Sequence, residues 1–145
     1  MLLTLTTWAQ DNKRPRFNPD EFKAKLEAYI TQKAELTPSE AEKVLPIFEE
    51  MKNKQFEIMK KVQKLKHKSD EQLKNDDEYR EVLTEMGELN IEGAKIEAAY
   101  YKKMCKAVSA KKAYRIKMAD DAFHREALRK FNHGQNDKNQ SKRKP

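Results

Sequence analysis

Between residues 41 and 65, apolar side chains fall at Ala41, Val44, Phe48, Met51, Ile58, Val62 and Leu65, with Gln55 the one polar member of the series. The steps alternate three and four, which lines these residues along one stripe of an α-helix and suits no strand. So narrow a stripe is the seam of a helix that pairs with another helix, and Leu45 and Met59 widen it as bundle packing requires. The rule repeats at Tyr79, Val82, Met86, Leu89, Gly93, Ile96 and Tyr100. The polar segment HKSDEQLKNDD (67–77) separates the two seams and is the expected loop. Two long helices joined by a short polar loop fold back into an antiparallel hairpin.

The ends of these helices are also written locally. Asn18-Pro19-Asp20-Glu21 has a capping side chain, a proline at the first helical position and an acid placed to cap back. Phe22, Leu26, Tyr29 and Ile30 share a face after it, and this first helix is expected to end near Lys33. Thr37-Pro38-Ser39-Glu40 is a second such start, a T-x-x-E capping box. Pro46 falls inside the helix that follows and is expected to bend rather than break it, since the stripe continues on both sides. Gly93 sits on the second seam, where it permits a close backbone approach. Ser109 caps a fourth helix carrying Ala113, Ile116, Phe123, Ala127 and Phe131. The expected fold is all-α: an elongated bent helical hairpin with short flanking helices, about four in all, over residues 18–131. Residues 132–145 are polar, basic and aperiodic, and are expected to form a disordered tail.

Composition agrees. Of 145 residues 38% are charged, 37% are hydrophobic and only three are glycine, which suits solvated helices better than a sheet. The net charge of +7 raises a nucleic-acid reading, but most of the excess sits at the ends. Residues 11–17 carry three bases and one acid, and 132–145 four bases and one acid, leaving 24 bases against 22 acids between them. Within the hairpin, 52–68 holds seven lysines and Glu57 alone, opposite the acid-rich 76–97. Residues 102–117 hold seven bases and no acid, and an antiparallel hairpin sets them near the acidic stretch 35–50. Opposite signs are expected to meet at both ends.

No reaction is written in the chain. His67, His124 and His133 belong to no H-E-x-x-H or Cys/His cluster, and Asp121-x-x-His124 lacks the second such pair that a di-iron centre needs. The serines stand at helix starts and in polar loops, no glycine-rich phosphate loop occurs, and no cofactor or metal is implied. The lone Cys105 is expected as a small apolar filler, and Met51, Met59, Met86 and Met104 either pad an adaptable binding face or fill the core. The candidate binding face mixes apolar and basic groups: Phe56, Met59, Lys60 and Lys61 with Tyr101, Lys102 and Lys103. No run of residues is apolar enough to span a membrane.

Leu36-Thr37-Pro38-Ser39-Glu40 resembles the L-T-x-x-Q motif of the Spy/CpxP family of small periplasmic stress proteins, and Val108-Ser109-Ala110-Lys111-Lys112 stands where that family has its second copy. Glu40 replaces the motif's glutamine, and Val108 and Lys112 depart from the second copy. The resemblance covers residues 18–131. It implies a thin curved hairpin that can dimerise into a cradle, export to the periplasm, and either ATP-independent holding of unfolded or partly folded proteins or modulation of one envelope protein. A structural or adaptor hairpin regulating one partner is the alternative, and a basic nucleic-acid binder the third.

Residues 1–9 read as the end of a secretory signal and 10–17 as a linker, because Thr7 and Ala9 lie three places and one place before a cut ahead of Gln10. The mature protein is therefore expected to begin near Gln10. N-terminal sequencing of native material checks this, and an intact Met1 in a cytoplasmic fraction would exclude it.

Overall fold

The computed structural model describes residues 17–141. These form four helices and, among the described residues, no strand: α1 (Pro19–Lys33), α2 (Pro38–Lys66), α3 (Asp76–Ala107) and α4 (Ala110–Ser141). Each start is fixed by the side chain before it. Asn18 Oδ1 accepts from the Asp20 and Glu21 amides at 3.0 and 3.3 Å. Glu21 does not cap back, but turns to Lys25 at 2.8 Å. At α2 the box is complete: Thr37 Oγ1 accepts from the Glu40 amide and Glu40 Oε1 from the Thr37 amide, both at 3.2 Å. Asn75 caps α3 through the Glu78 amide at 3.0 Å, so the loop closes at residue 75 rather than 77. Ser109 Oγ accepts from the Lys112 amide at 3.2 Å and caps α4.

The turn between α1 and α2 is tighter than its sequence announces. Leu36 N–H reaches the Thr31 carbonyl and Glu35 N–H the Gln32 carbonyl, at 3.0 and 3.2 Å, a Schellman closure. That closure requires a left-handed residue, and here it is Glu35 (φ 53°) rather than glycine. Two bases of α4 hold it. Lys112 Nζ donates to the Glu35 carbonyl at 2.9 Å, and Arg115 pairs with its carboxylate at 2.8 Å.

The core comes in two pieces. In the body, α1 and α4 close over the base of the hairpin, burying Leu26, Ile30, Val44, Phe48, Met51, Tyr100, Met104, Ala113, Ile116 and Ala119. Beyond it α2 and α3 continue alone, and this two-helix arm buries only Ile58, Val62, Leu65 and Leu89, with Val82, Met86 and Ile96 partly covered. Helix α2 runs through Pro46 unbroken, as its continuous stripe demands. Helix α4 runs on to Ser141. Its residues 132–136, within the stretch expected from composition to be disordered, are all exposed. Residues 142–145 and the expected signal and linker before Phe17 lie outside the described residues.

Gly93 faces Ile58 across the arm, but a Cβ built there stands 3.6 Å from Ile58 Cγ2, an ordinary contact. The close approach does not need glycine. Gly93→Ala should therefore stabilise the protein by roughly 0.5–1 kcal/mol through helix propensity, read as a higher denaturant midpoint. A lower midpoint would mean the arm is packed more tightly than this geometry.

Candidate functional site

The residues proposed from sequence to bind a partner do not share one face. Phe56 and Met59 are 53% and 49% exposed, and Lys60 Nζ lies over the Phe56 ring at 5.3 Å. Lys61 is exposed too, but at about 100° per residue it stands about 140° round the helix from Phe56. On α3, Lys102 is exposed, while Lys103 Nζ packs 4.4 Å from the centroid of the buried Tyr100 ring. Tyr101 is half-buried against the body core and its hydroxyl donates to Glu97. What the fold does assemble is a shallow groove of about 270 Å³ along the arm, lined by Gln55, Ile58, Met59 and Val62 of α2 and by Asn90 and Gly93 of α3, with Lys66 and Glu97 also on its walls. Its lining is apolar and amide-rich, with charge confined to those two residues.

Leu83 and Ile91, 69% and 58% exposed on α3, were not singled out by sequence. The signal was there: both are apolar yet stand off the three-four series. Cys105 corrects the sequence reading for the same reason, since it is exposed while its neighbour Met104 is fully buried. Met51 and Met104 fill the core, Met86 packs against the arm cluster and Met59 alone is half free.

Opposite charges meet at one end of the hairpin only. At the closed end Lys112 Nζ reaches Glu40 at 2.6 Å, so one carboxylate joins the capping box to α4. That hydrogen bond holds the Glu40 carboxyl below the usual carboxylate range. A folded pKa below the unfolded one gives stabilisation that is present above the ordinary carboxylate pKa and is lost as pH falls through the depressed one. Along the arm, the lysines of 52–68 make no ion pair with the acids of α3 among the described residues. Lys60 pairs with Glu57 on its own helix instead.

Where α2, α3 and α4 meet, a cleft of about 160 Å³ is floored by Phe48, Met51 and Met104 and walled by charge. Lys52 Nζ bonds Asp120 Oδ2 at 2.9 Å, and the Asp120 side chain is only 7% exposed. Asp120 Oδ1 is buried with no hydrogen bond aligned on it. His124 Nδ1 stands 3.0 Å away, but also 2.9 Å from the Asp120 carbonyl oxygen, which takes its hydrogen bond. Lys117 pairs with Asp121 at 2.9 Å and approaches Glu97 at 3.6 Å. The Asp121 hydrogen bond pushes the Lys117 ammonium up, and burial followed by Glu97 pushes the Tyr101 phenol up, so neither titrates near neutral pH. Asp121 and His124 thus turn to different partners, and no three His, Cys, Asp or Glu side chains among the described residues are arranged to hold a metal. No local pattern around Asp120 announces its burial against α2.

No family model, curated protein or solved structure matches this chain. No helix among the described residues is long and apolar enough to cross a membrane.

The Lys52–Asp120 pair makes a sharp expectation. Lys52→Met leaves a buried carboxylate without its cation and should cost about 1–3 kcal/mol. Lys52→Met combined with Asp120→Leu should recover most of that loss, because a buried pair replaced by apolar groups is often neutral. Denaturant melts of the two single variants and the double variant measure the coupling, and purely additive losses would show that the pair does not link α2 to α4.

Proposed function

We propose that this chain is an exported binding protein that holds partly folded protein segments on its two-helix arm, without ATP. The observation that carries the reading is the half-exposed pair Phe56 and Met59 beside a lysine-rich edge, on an arm with only four buried side chains. Two helices cannot hide both their stripes and their flanking apolar residues, so the arm keeps a grip for other chains. The groove along it offers Ile58, Met59 and Val62 between amide side chains, a surface that takes apolar residues without demanding one partner sequence. Methionine suits this use, since its unbranched side chain adapts to different neighbours. The lysines of 52–68 add long-range attraction, which speeds encounter more than it tightens binding. The resemblance of Leu36–Glu40 to the Spy/CpxP motif points the same way and supports a periplasmic setting in envelope stress.

Purified protein should suppress aggregation of an unfolding client in the absence of ATP. Phe56→Ser with Met59→Ser should remove most of that effect, with the melting curve moved by no more than about 0.5 kcal/mol, since both sites are exposed. Raising salt to 1 M, where the screening length is about 3 Å, should slow association while the apolar grip persists. Unchanged suppression by the double variant would overturn the arm as the grip. A single stoichiometric partner in a pull-down from envelope extract would replace client holding with the adaptor reading.

A further inference from the structure

A second surface lies at the other end of the molecule, where α1 and α4 pack together away from the arm. Its floor is a trio of aromatic rings: Phe22 meets Phe123 edge-on at 5.2 Å between centroids, and Tyr29 meets Phe123 at 5.5 Å. None of the three is fully buried, and together with Ala122 and Ala127 they form the bottom of an open groove of about 680 Å³. Its rim is basic. Lys25, Arg125, Arg129 and Lys130 line it with Glu126; Lys25 pairs with Glu21 at 2.8 Å and Arg129 with Glu126 at 2.7 Å, which leaves Arg125 and Lys130 without an ion pair among the described residues. Phe17, 73% exposed and stacked 5.5 Å from Phe22, extends the aromatic floor at one end.

We infer that this groove docks an acidic amphipathic helix of a partner protein. The charge of the rim selects the sign of the occupant. The terminal stretches of this chain have the wrong sign: residues 11–17 carry three bases to one acid, and 132–145 four bases to one acid. The shape selects a helix, because two packed helices leave a valley in which a third lies with its apolar face down, anchored at positions three and four apart. From Ala122 to Lys130 the groove runs about 12 Å at 1.5 Å per residue, so roughly two turns of the guest can sit in it. The aromatic floor supplies the apolar contact, and Arg125 and Lys130 meet the guest's acids along the α4 flank. This site stands apart from the arm, so a client and the docked helix can be bound together.

The test uses the full chain and a fluorescein-labelled peptide of roughly 14 residues with Leu and Phe at helical three-four spacing and Glu at the flanking positions. Anisotropy should show saturable binding that weakens as salt rises. A peptide with Lys in place of every Glu should bind at least about tenfold more weakly. Arg125→Glu with Lys130→Glu, both exposed and remote from the core clusters, should cost about tenfold or more for the acidic peptide, with an unchanged circular-dichroism melt. Phe56→Ser with Met59→Ser should leave peptide binding intact, so failure here and failure of the arm reading are told apart. Equal binding of the two peptides, or no effect of the reversals, would overturn the proposal. So would reversal-sensitive binding to phosphatidylglycerol vesicles in place of the peptide, or reversal-sensitive self-association, which would put a membrane or a second copy in the groove.

Discussion

A helix hides its apolar stripe only where another helix lies against it, and the supply of partners runs out partway along this molecule. At the base of the hairpin four helices surround Ile30, Val44, Met104 and Ile116, all of them sealed from solvent. Past Met51 on α2 and Ile96 on α3 two helices remain, and each has only the other to cover it. The division between a closed body and an open arm is thus set by where α1 and α4 end their contact with the hairpin, not by any change in the seam itself. Exposed Phe56, Met59, Leu83 and Ile91 follow from that geometry, as does the lower density of packing that an adaptable surface needs.

Charge plays a different part at each end. In the body, ion pairs bridge elements far apart in sequence: Lys112 to Glu40, Arg115 to Glu35, and Lys52 to Asp120. Such contacts specify which helix lies against which, even where an exposed pair adds little stability. The burial of Asp120 makes the last of them stricter, because a carboxylate out of water tolerates no register that loses its ammonium. On the arm the lysines and acids face solvent, available to whatever approaches. The same residue types therefore bridge helices in one half and stay solvated in the other.

The hairpin and the starts of α1, α2 and α4 were legible because each rests on local rules: a three-four stripe, or a side chain capping the amides two or three residues ahead. Thr37 and Glu40 show this most plainly, forming the reciprocal box their spacing announced. The Asn75 cap of α3 was not read, so its loop was drawn two residues too long. What stayed hidden was relational. Nothing around Asp120 tells that Lys52 will cover it, and nothing near Tyr101 tells that it turns inward while Phe56 stays out, since both depend on the crossing of α4 over the hairpin. The grouping of Lys61 with Phe56 was avoidable from sequence, since five residues at about 100° each set the two about 140° apart on the helix.

The left-handed Glu35 carries a consequence for the order in which the structure is completed. Its turn closes with bonds spanning three to five residues, yet the groups that hold it, Lys112 and Arg115, come 77 and 80 residues later. Until α4 arrives nothing from outside the turn offsets the cost of the left-handed Glu35, so in a nascent chain the turn is not yet fixed. In that interval the base of the hairpin is uncovered, and Val44 and Met104 present the same kind of surface that the arm keeps permanently. Contacts of such long separation are slow to form, because loop closure precedes any return from them. A nascent chain of this protein is, for that interval, in need of the kind of shelter its finished arm would give to others.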